Sequence, residues 1–437
     1  MVAVVAIRAG VVVTGTEVLT GRVPDRNGPW LAEQLRQLGV DIAQIVVVGD
    51  RPEDLHASLA FLTGLGLDLI VTSGGLGPTA DDLTAEIVAT FQGRSASVDP
   101  GLERHIGDIV GRLSAGRGWR LRPEATAAGT RKQALVPDGA TVIPPVGTAP
   151  GLIVPPADGR DGPPIAVLPG PPRELQAMWP TVVADPVVLA ALAGRRELRQ
   201  RTIRLWGTPE SELAATLREQ QDQLAGLEIT TCLRDGELEV VTRYRAEAEE
   251  AYAGFAAVVG EVYRDTIFSA DGRTVDDIVA EALVTRGLTI ATAESCTGGL
   301  LAARLTDRPG SSAYVIGGVT SYANEAKQDL LDVPASLIDD VGAVSAEVAE
   351  AMAGGVRARL GADIGVGITG VAGPDGGTAE KPVGLVHICV AGPERTLARR
   401  IVLPGNRADV RSRAVTVAMH MLRELLSREG GPEQSRS

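Results

Sequence analysis

The residues best suited to chemistry lie in one short turn, Glu-Ser-Cys-Thr-Gly-Gly at 294–299. An apolar run at 287–293 precedes the turn and is typical of a buried strand, and a helical pattern begins at Leu300. Ser295 and Cys296 are therefore expected beside the free N–H groups and the positive dipole end of a new helix. Such a turn can expose a nucleophile or bind an anion. A glycine-eased turn capped by Ser or Thr is the alternative that the turn alone leaves open.

A hydroxyl nucleophile needs a base, and histidine is scarce in this chain. The four histidines lie outside the glycine-rich and polar clusters: His56, His105, His387 and His420. We therefore expect neither a histidine-rich metal site nor a Ser-His-Asp triad. Lysine is the natural substitute when burial or a nearby cation lowers its pKa.

The best candidate for that base is Lys327, in a second polar cluster at 317–327 that also contains Tyr322 as a relay or hydrogen-bond donor. A third cluster, at 365–377, ends another predicted strand. Ligands collect at strand ends in open α/β sheets, so the three clusters predict one site. Taken alone, Lys327 also fits a surface lysine and Tyr322 an ordinary half-buried aromatic. Their spacing is one residue too long for the Tyr-x-x-x-Lys pair of short-chain dehydrogenases.

Composition and charge narrow the class of protein. The 437 residues carry a net charge of −13, which disfavours an electrostatic nucleic-acid binder. Hydrophobic residues make up 44% but aromatics only 3%, so the cores must be built from aliphatic side chains. Three separated cysteines suggest neither a disulfide framework nor a thiolate zinc site. No apolar stretch reaches membrane-spanning length, and we expect a cytoplasmic protein with no membrane or nucleic-acid partner.

The hydrophobic pattern predicts an α/β chain in three parts. Strands at 2–14, 41–48, 67–73, 140–143, 151–154 and 165–168 alternate with helices, among them 30–38, 52–62 and 83–91. A β-α-β-β-α-β, ferredoxin-like pattern follows, with a hairpin of 227–233 and 237–244. After it, strands at 287–293, 313–322, 363–369, 384–390 and 398–403 return to α/β alternation.

These patterns predict the following domains: an α/β domain at 1–182, a small α+β module at 183–269, an α/β domain at 270–428 and a disordered tail at 429–437. The middle module has charged helices and no catalytic-looking cluster. We therefore expect it to be a spacer or dimerisation module, and the protein to be a homodimer.

Four motifs in the last third of the chain resemble the C-terminal domain of the CinA family. They are Thr-Ala-Glu-Ser-Cys-Thr-Gly-Gly at 292–299, Thr-Ser-Tyr-Ala-Asn-Glu-Ala-Lys at 320–327, Gly-Ile-Thr-Gly-Val-Ala-Gly-Pro at 367–374 and Lys-Pro-Val-Gly at 381–384. Members of that family carry nicotinamide mononucleotide (NMN) deamidase activity. The resemblance implies hydrolysis of the carboxamide to nicotinate mononucleotide and ammonia, without a cofactor.

The resemblance also implies roles for individual residues. Ser295 would be the nucleophile, Lys327 its base and Tyr322 a helper, while Thr369 would orient or stabilise the developing charge. The other implied contacts are with substrate: Thr297, Gly298, Gly299, Asn324 and Gly370. Arg407 or Arg411 would hold the phosphate, and the sequence does not separate the two arginines.

The first third of the chain resembles the CinA N-terminal domain, which is similar to the MoaB/MogA molybdopterin-binding fold. The resemblance rests on motifs at 15–21, 72–84, 147–151 and 168–174. It implies hydrolysis of ADP-ribose at its pyrophosphate. Glycines at the end of a strand let backbone N–H groups approach a diphosphate, and the candidate binding residues are Gly74, Gly75, Gly77 and Thr79. Asp81, Asp82 and Glu17 are oxygen ligands suited to a divalent cation. Helix capping by Thr79 or Asp81 is the alternative.

One departure concerns that activity. This chain has Gly15-Thr16-Glu17 where relatives commonly have Gly-Asp-Glu, and Asp25-Arg26-Asn27 where they have an Asn-Thr-Asn-like stretch. A pyrophosphatase that needs the missing carboxylate for its metal would be weak or lost.

The sequence thus favours a bifunctional enzyme of pyridine-nucleotide salvage acting on NMN and ADP-ribose. A molybdopterin-binding protein and a non-catalytic competence or DNA-uptake accessory protein are the alternatives.

Overall fold

The computed structural model describes residues 7–117, 122–195 and 198–427. The chain divides into two compact units, Met1–Arg199 and Gln200–Ser437. Both have the mixed α/β character that the sequence predicts. No helix in these described ranges combines the length and the apolar composition that crossing a membrane requires.

The first unit contains a six-stranded sheet and a separate two-stranded sheet, together with helices. Its strands are β1 (Arg8–Thr14), β2 (Asp41–Val48), β3 (Leu69–Ser73), β4 (Ala96–Val98), β5 (Leu135–Pro137), β6 (Thr141–Ile143), β7 (Gly151–Val154) and β8 (Ile165–Leu168). Its helices are α1 (Thr16–Leu19), α2 (Asn27–Gln37), α3 (Pro52–Gly64), α4 (Thr84–Phe91), α5 (Pro100–Arg117), α6 (Pro123–Gln133), α7 (Pro172–Ala184) and α8 (Pro186–Ala191).

The strand order is β2-β1-β3-β8-β7-β6, with β4 and β5 paired apart from it. Strands β2, β1, β3 and β8 run parallel, and β7 and β6 are antiparallel additions. Strands that are covered on both faces of a sheet need apolar side chains on both, as the parallel β3 and β8 and the antiparallel β7 show, since all three are buried along their whole length. Val188 and Leu192 also pack in this core, so the first unit extends past the predicted boundary at 182.

The second unit begins with a small four-stranded sheet. Its elements are β9 (Arg199–Trp206), α9 (Glu210–Glu219), β10 (Leu227–Arg234), β11 (Glu237–Tyr244), α10 (Glu249–Val262) and β12 (Ile267–Ser269). The strand order β10-β11-β9-β12 and the β-α-β-β-α-β element order agree with the predicted ferredoxin-like pattern. The contact pattern joins this sheet to the last part of the chain in one unit, while the other predicted domain limits stay predictions.

The remainder of the second unit is a five-stranded sheet in the order β14-β13-β15-β16-β17. Its strands are β13 (Ile290–Glu294), β14 (Val315–Thr320), β15 (Ile364–Gly370), β16 (Leu385–Ala391) and β17 (Thr396–Val402). Its helices are α11 (Val275–Arg286), α12 (Leu300–Thr306), α13 (Asn324–Leu331), α14 (Ala335–Val341), α15 (Ala346–Leu360) and α16 (Arg407–Ser427).

Strand alternation sorts this sheet's side chains between two cores. Ile290 and Ile368 pack with α11 and α16, whereas Ala291 and Ala293 pack with α13 and α15. On the second face the strands carry the smallest residues, and a Cβ at Gly365 or Gly367 would clash with backbone atoms of α15. Helix α15 therefore lies directly against β15, close to where β13 and β15 end.

Candidate functional site

Ser295 follows β13 at the edge where the parallel strands β13, β14 and β15 end. Its N–H donates to the carbonyl of Ile368 at 2.9 Å, which fixes the start of the turn beside the end of β15. Only 9% of the residue is exposed. The three polar clusters of the sequence do meet at one end of the sheet, as their positions after strands predicted.

Lys327 lies on α13 and is buried against the same turn. Its Nζ is 3.2 Å from Ser295 Oγ and donates to the carbonyls of Ser321 and Tyr322 at 2.9 and 3.1 Å. Only 1% of the residue is exposed, so the surface-lysine alternative is wrong. Burial lowers the pKa of Lys327 because the charged ammonium loses its hydration. The structure thus supplies the condition that a lysine base requires.

Cys296 lies on the other side of the turn. Its side chain packs in the apolar core with Leu301 and Ile368, and burial raises the pKa of its thiol to about 11. A thiol in that state is almost entirely protonated at neutral pH and is a poor nucleophile. Ser295 Oγ, by contrast, contacts the buried amine of Lys327 at 3.2 Å.

Glu294 organises the turn, and the sequence analysis did not assign it a role. Its buried carboxylate accepts N–H bonds from Gly299 and Leu301 at 3.0 Å and from Ala302 at 2.9 Å. The predicted free helix end is therefore occupied by the protein itself, and the N–H of Gly299 is not available to substrate. The clue in the sequence was a carboxylate placed directly before a turn that has glycine, not Ser or Asp, at the helix N-cap.

The other predicted turn residues have specific partners. The N–H of Gly298 donates to the carbonyl of Ser295 at 3.1 Å, so it also does not face substrate. Thr297 is fully buried, and in the described part of the chain its Oγ1 has no hydrogen-bond partner. The N–H groups of Cys296 and Thr297 make no main-chain hydrogen bond among the described residues, and both face the thiol of Cys296, whose pKa they lower. No main-chain carbonyl therefore occupies these two donors.

The two arginines that the sequence could not separate differ in their contacts. Arg411 donates to the carbonyls of Cys296 and Thr297 at 3.1 and 2.9 Å, so it braces the turn. Arg407 is exposed and donates to the carbonyl of Gly373 at 2.8 Å and to the hydroxyl of Tyr322 at 3.0 Å. Arg407 is accordingly the arginine with an exposed face at the site.

Tyr322 is the residue that the sequence analysis predicts as a relay or hydrogen-bond donor. It is 60% exposed, and its hydroxyl accepts from Arg407, whereas its main-chain carbonyl accepts from Lys327. Thr369 is buried and donates to the carbonyl of Ala343 at 2.7 Å. Gly370 ends β15, and Asn324 is exposed at the first residue of α13.

His387 corrects one inference from the sequence, which placed every histidine outside the polar clusters. It lies opposite Thr369 in the β15–β16 ladder and is buried. Burial lowers its pKa, as do the charges of Arg400 and Lys381, against the opposing effect of Glu347. The position was not foreseen because cross-strand register cannot be read from spacing along one chain.

In the first unit, a second polar cluster follows β3. Gly74 and Gly75 have φ values of 105° and 66°, and a Cβ at Gly77 would clash with the carboxylate of Asp82. The hydroxyl of Thr79 contacts Asp81 Oδ1 and Asp82 Oδ2 at 2.5 Å, and its N–H donates to Asp82 at 2.9 Å. The hydrogen bond from Thr79 lowers the pKa of Asp81.

The predicted metal ligands do not form one cluster. No group of three or more His, Cys, Asp or Glu side chains that could hold a metal occurs in the residues that the structure describes. Glu17 is exposed on α1, with its carboxylate turned back towards Gly15. Asp81 and Asp82 alone lie together, so the three-carboxylate site was a wrong expectation.

The two departures from the family pattern have clear positions. Thr16 donates from its N–H and its hydroxyl to Asp50, at 2.9 and 2.7 Å, and Arg26 is exposed just before α2. The next residue, Asn27, donates to Ser73 Oγ at 2.8 Å and to the carbonyl of Gly170 at 2.7 Å. It joins the ends of β3 and β8, a role that the sequence analysis missed.

Comparison with known proteins covers nearly the whole chain. Residues 272–426 match the CinA C-terminal domain, and residues 10–189 match a probable molybdopterin binding domain. The CinA-like proteins of Mycolicibacterium gilvum (strain PYR-GCK) and Mycobacterium sp. (strain MCS) are each 58% identical, over 97% and 96% of this chain and 99% of each relative. The crystal structure of the competence/damage inducible protein CihA from Agrobacterium tumefaciens is 40% identical, covers 36% of this chain and 98% of that chain, and gives a TM-score of 0.34.

Proposed function

Because this chain belongs to the CinA family, we propose that its Ser295–Lys327 pair hydrolyses an amide, with the carboxamide of NMN as substrate. One observation carries the proposal: a lysine that is 99% buried places Nζ 3.2 Å from the hydroxyl of a serine on a strand-to-helix turn. Nucleophile and base within hydrogen-bond reach are the signature of covalent hydrolysis.

The three oxygens around Lys327 Nζ can accept all three N–H bonds of an ammonium, and they also accommodate the neutral amine that burial favours. A neutral amine has two N–H bonds and one lone pair. The carbonyls of Ser321 and Tyr322 accept the two N–H bonds, which leaves the lone pair for the hydroxyl hydrogen of Ser295. Lys327 then takes that proton as Ser295 Oγ bonds to the carboxamide carbon.

The proton returns in the second half of acylation. The tetrahedral intermediate collapses, the C–N bond breaks, and the ammonium of Lys327 gives its proton to the departing nitrogen, which leaves as ammonia. Water attacks the resulting ester with Lys327 again as base, releasing the carboxylate product and restoring Ser295. The negative charge on the carbonyl oxygen in each step would be stabilised by the N–H groups of Cys296 and Thr297.

Arg407 is the residue that we assign to the substrate phosphate. Its guanidinium is exposed beside Tyr322, whereas Arg411 directs its donors at turn carbonyls. A planar guanidinium offers five N–H donors and a permanent charge, which suits a phosphate monoester. Tyr322 in turn holds Arg407 at the site rather than relaying protons.

The test is ammonia release from NMN, followed together with formation of nicotinate mononucleotide. Ser295→Ala and Lys327→Ala should each reduce the rate by a factor on the order of 10³ or more, as loss of a nucleophile or its base does. Cys296→Ala is the matched control and should keep most of the activity. Activity lost in Cys296→Ala but kept in Ser295→Ala would reject the serine assignment.

We propose a second activity, hydrolysis of the pyrophosphate of ADP-ribose, for the first unit. The observation that favours it is the glycine turn after β3, where backbone can approach a diphosphate and where Thr79, Asp81 and Asp82 form one hydrogen-bonded group. Two carboxylates fit a magnesium ion that also binds substrate phosphates and water. Such a cation would neutralise charge on the diphosphate oxygens.

Chelation separates the two proposals in one sample. EDTA should stop AMP formation from ADP-ribose and leave ammonia release from NMN unchanged, because the Ser295–Lys327 reaction has no Lewis acid. Asp82→Asn should reproduce the effect of EDTA, with Asp41→Asn, an exposed carboxylate on β2, as the control. Inhibition of the deamidase by EDTA would contradict the proposed reaction. Molybdopterin binding without ADP-ribose cleavage would favour the ligand that the matching domain's description suggests.

A further inference from the structure

We infer that Glu294 and Arg411 are positioning residues that hold the nucleophile turn in its reactive shape. The inference rests on the proposed role of Ser295 and extends it to two side chains that lie outside the Ser295–Lys327 pair. Glu294 acts from the end of β13, and Arg411 acts from α16 on the far side of the turn.

Glu294 ties the end of the strand to the start of the helix. Helix N-termini leave N–H groups without partners, and a side chain at the N-cap ordinarily accepts from them. Here the N-cap is Gly299, with φ 97° and no side chain to accept. The carboxylate of Glu294 accepts three of these N–H bonds instead, from Gly299, Leu301 and Ala302. Both ends of the turn are thereby fixed around Ser295.

This arrangement also removes the helix end as a binding site for the reaction's negative charge. The donors that remain are the N–H groups of Cys296 and Thr297, within the turn itself. The residues that orient these two N–H groups therefore determine how well the transition state is stabilised.

Arg411 orients the N–H of Thr297 through the planarity of the peptide bond. The carbonyl of Cys296 and the N–H of Thr297 belong to one trans peptide unit, so they point in opposite directions. Arg411 donates to that carbonyl at 3.1 Å and, through a second nitrogen, to the carbonyl of Thr297 at 2.9 Å. Two donors from one rigid guanidinium thus fix the two consecutive peptide planes 296–297 and 297–298, and in the first plane the N–H of Thr297 points opposite to the carbonyl that Arg411 holds.

This geometry predicts a specific kinetic signature. Changing Arg411 should lower kcat for NMN and leave KM nearly unchanged, because the donor acts on charge that develops only in the transition state. Changing Arg407 should raise KM, because the phosphate is bound equally in both states. The loss of one oxyanion donor typically reduces kcat by about 10² to 10³. Arg411→Lys keeps the charge but cannot span both carbonyls, so it should show a decrease of about 10-fold or more.

The experiment compares Arg411→Lys, Glu294→Gln and Arg407→Lys with the full-length wild-type protein. Asp307→Asn is the matched control, since it removes an exposed carboxylate at the other end of α12. The readouts are kcat and KM for NMN, the pH dependence of kcat/KM, and the rate at which a fluorophosphonate labels Ser295. The labelling rate reports the reactivity of the serine whatever the natural substrate is.

Lower kcat, slower labelling and an unchanged pH midpoint in Arg411→Lys and Glu294→Gln would support the inference. A raised KM with normal kcat in Arg411→Lys would overturn it and assign that arginine to substrate instead. Glu294→Gln provides a second test, and normal labelling in both variants would also overturn it. Wild-type protein that labels at Ser295 but does not act on NMN would reject only the substrate. Wild-type protein that does neither would reject both proposals.

Discussion

At the residue scale, the environment of Lys327 determines what Ser295 can do. The side chain type and its place in the second cluster were predictable from the sequence, as was the serine on the turn. Its burial was not, because a lysine on a helix is exposed in most proteins and only the packing of α13 against the sheet reverses that. The roles of Glu294 and Arg411 were missed for a similar reason, since their contacts are with backbone atoms.

The lowered pKa of Lys327 predicts how activity depends on pH. Since the neutral amine is the reactive form, kcat/KM should rise with pH to a plateau. The midpoint of that rise should lie below about 10.4, the ordinary pKa of lysine. Lys327→Arg should lose both the activity and the rise of kcat/KM with pH, because arginine stays protonated. The measurement is initial-rate ammonia release across pH 6–10, corrected for stability. A rate that falls over this range would contradict a lysine base.

At the element scale, small residues on one face of the sheet bring the helices close to the site. Gly355 lies on α15, and a Cβ at this position would clash with the backbone of Leu331, the last residue of α13. This contact holds α13, the helix that carries Lys327, close against α15. The sequence predicted most of these strands and helices, because their periodicity is regular. It missed α5 and α6, and it could not give the closeness of α15.

Adjacent glycines of α15 allow a matched test of that packing. Gly354 is exposed with open space around it, so Gly354→Ala should stabilise the protein by about 0.5–1 kcal/mol through helix propensity. Gly355→Ala should destabilise it by about 1–3 kcal/mol, because the added methyl meets backbone. Chemical denaturation measures both. Deamidase activity should fall only in Gly355→Ala, and equal stability of the two variants would contradict the close contact.

At the scale of the whole chain, the ferredoxin-like sheet belongs with the C-terminal strands. His420 of α16 stacks on Trp206 of β9 at a centroid distance of 4.0 Å and contacts Glu237 of β11 at 2.7 Å. The sequence predicted a spacer or dimerisation module at 183–269 because that segment contains no catalytic-looking cluster. It could not reveal this contact, which joins residues more than 180 positions apart.

Burial lowers the pKa of His420, which the contact with Glu237 only partly offsets, and Arg423 and Arg304 lower it further. Below about pH 6.5, His420 binds a proton in the unfolded chain more readily than in the folded chain. The stability of this unit should therefore decrease as the pH is lowered. His420→Gln should reduce that pH dependence, although His387 contributes in the same direction. Thermal unfolding of the 200–437 fragment at pH 5.5 and 8 tests this. A change in Tm between pH 5.5 and pH 8 that is the same in the variant as in the wild type would contradict this prediction.

The three cysteines have unequal surroundings, and this makes the chain suitable for selective labelling. Cys296 and Cys389 are buried, and burial raises the pKa of Cys389 to about 12, whereas Cys232 is exposed on β10. A maleimide dye added at neutral pH should therefore attach at a single position, without any engineered substitution. That position is on the strand leading to the Asp235-Gly236 turn, whose Asp235 accepts a hydrogen bond from Ser412, one residue after Arg411. The native protein thus provides an attachment site for an optical probe, beside the helix whose Arg411 contacts the turn of the proposed nucleophile.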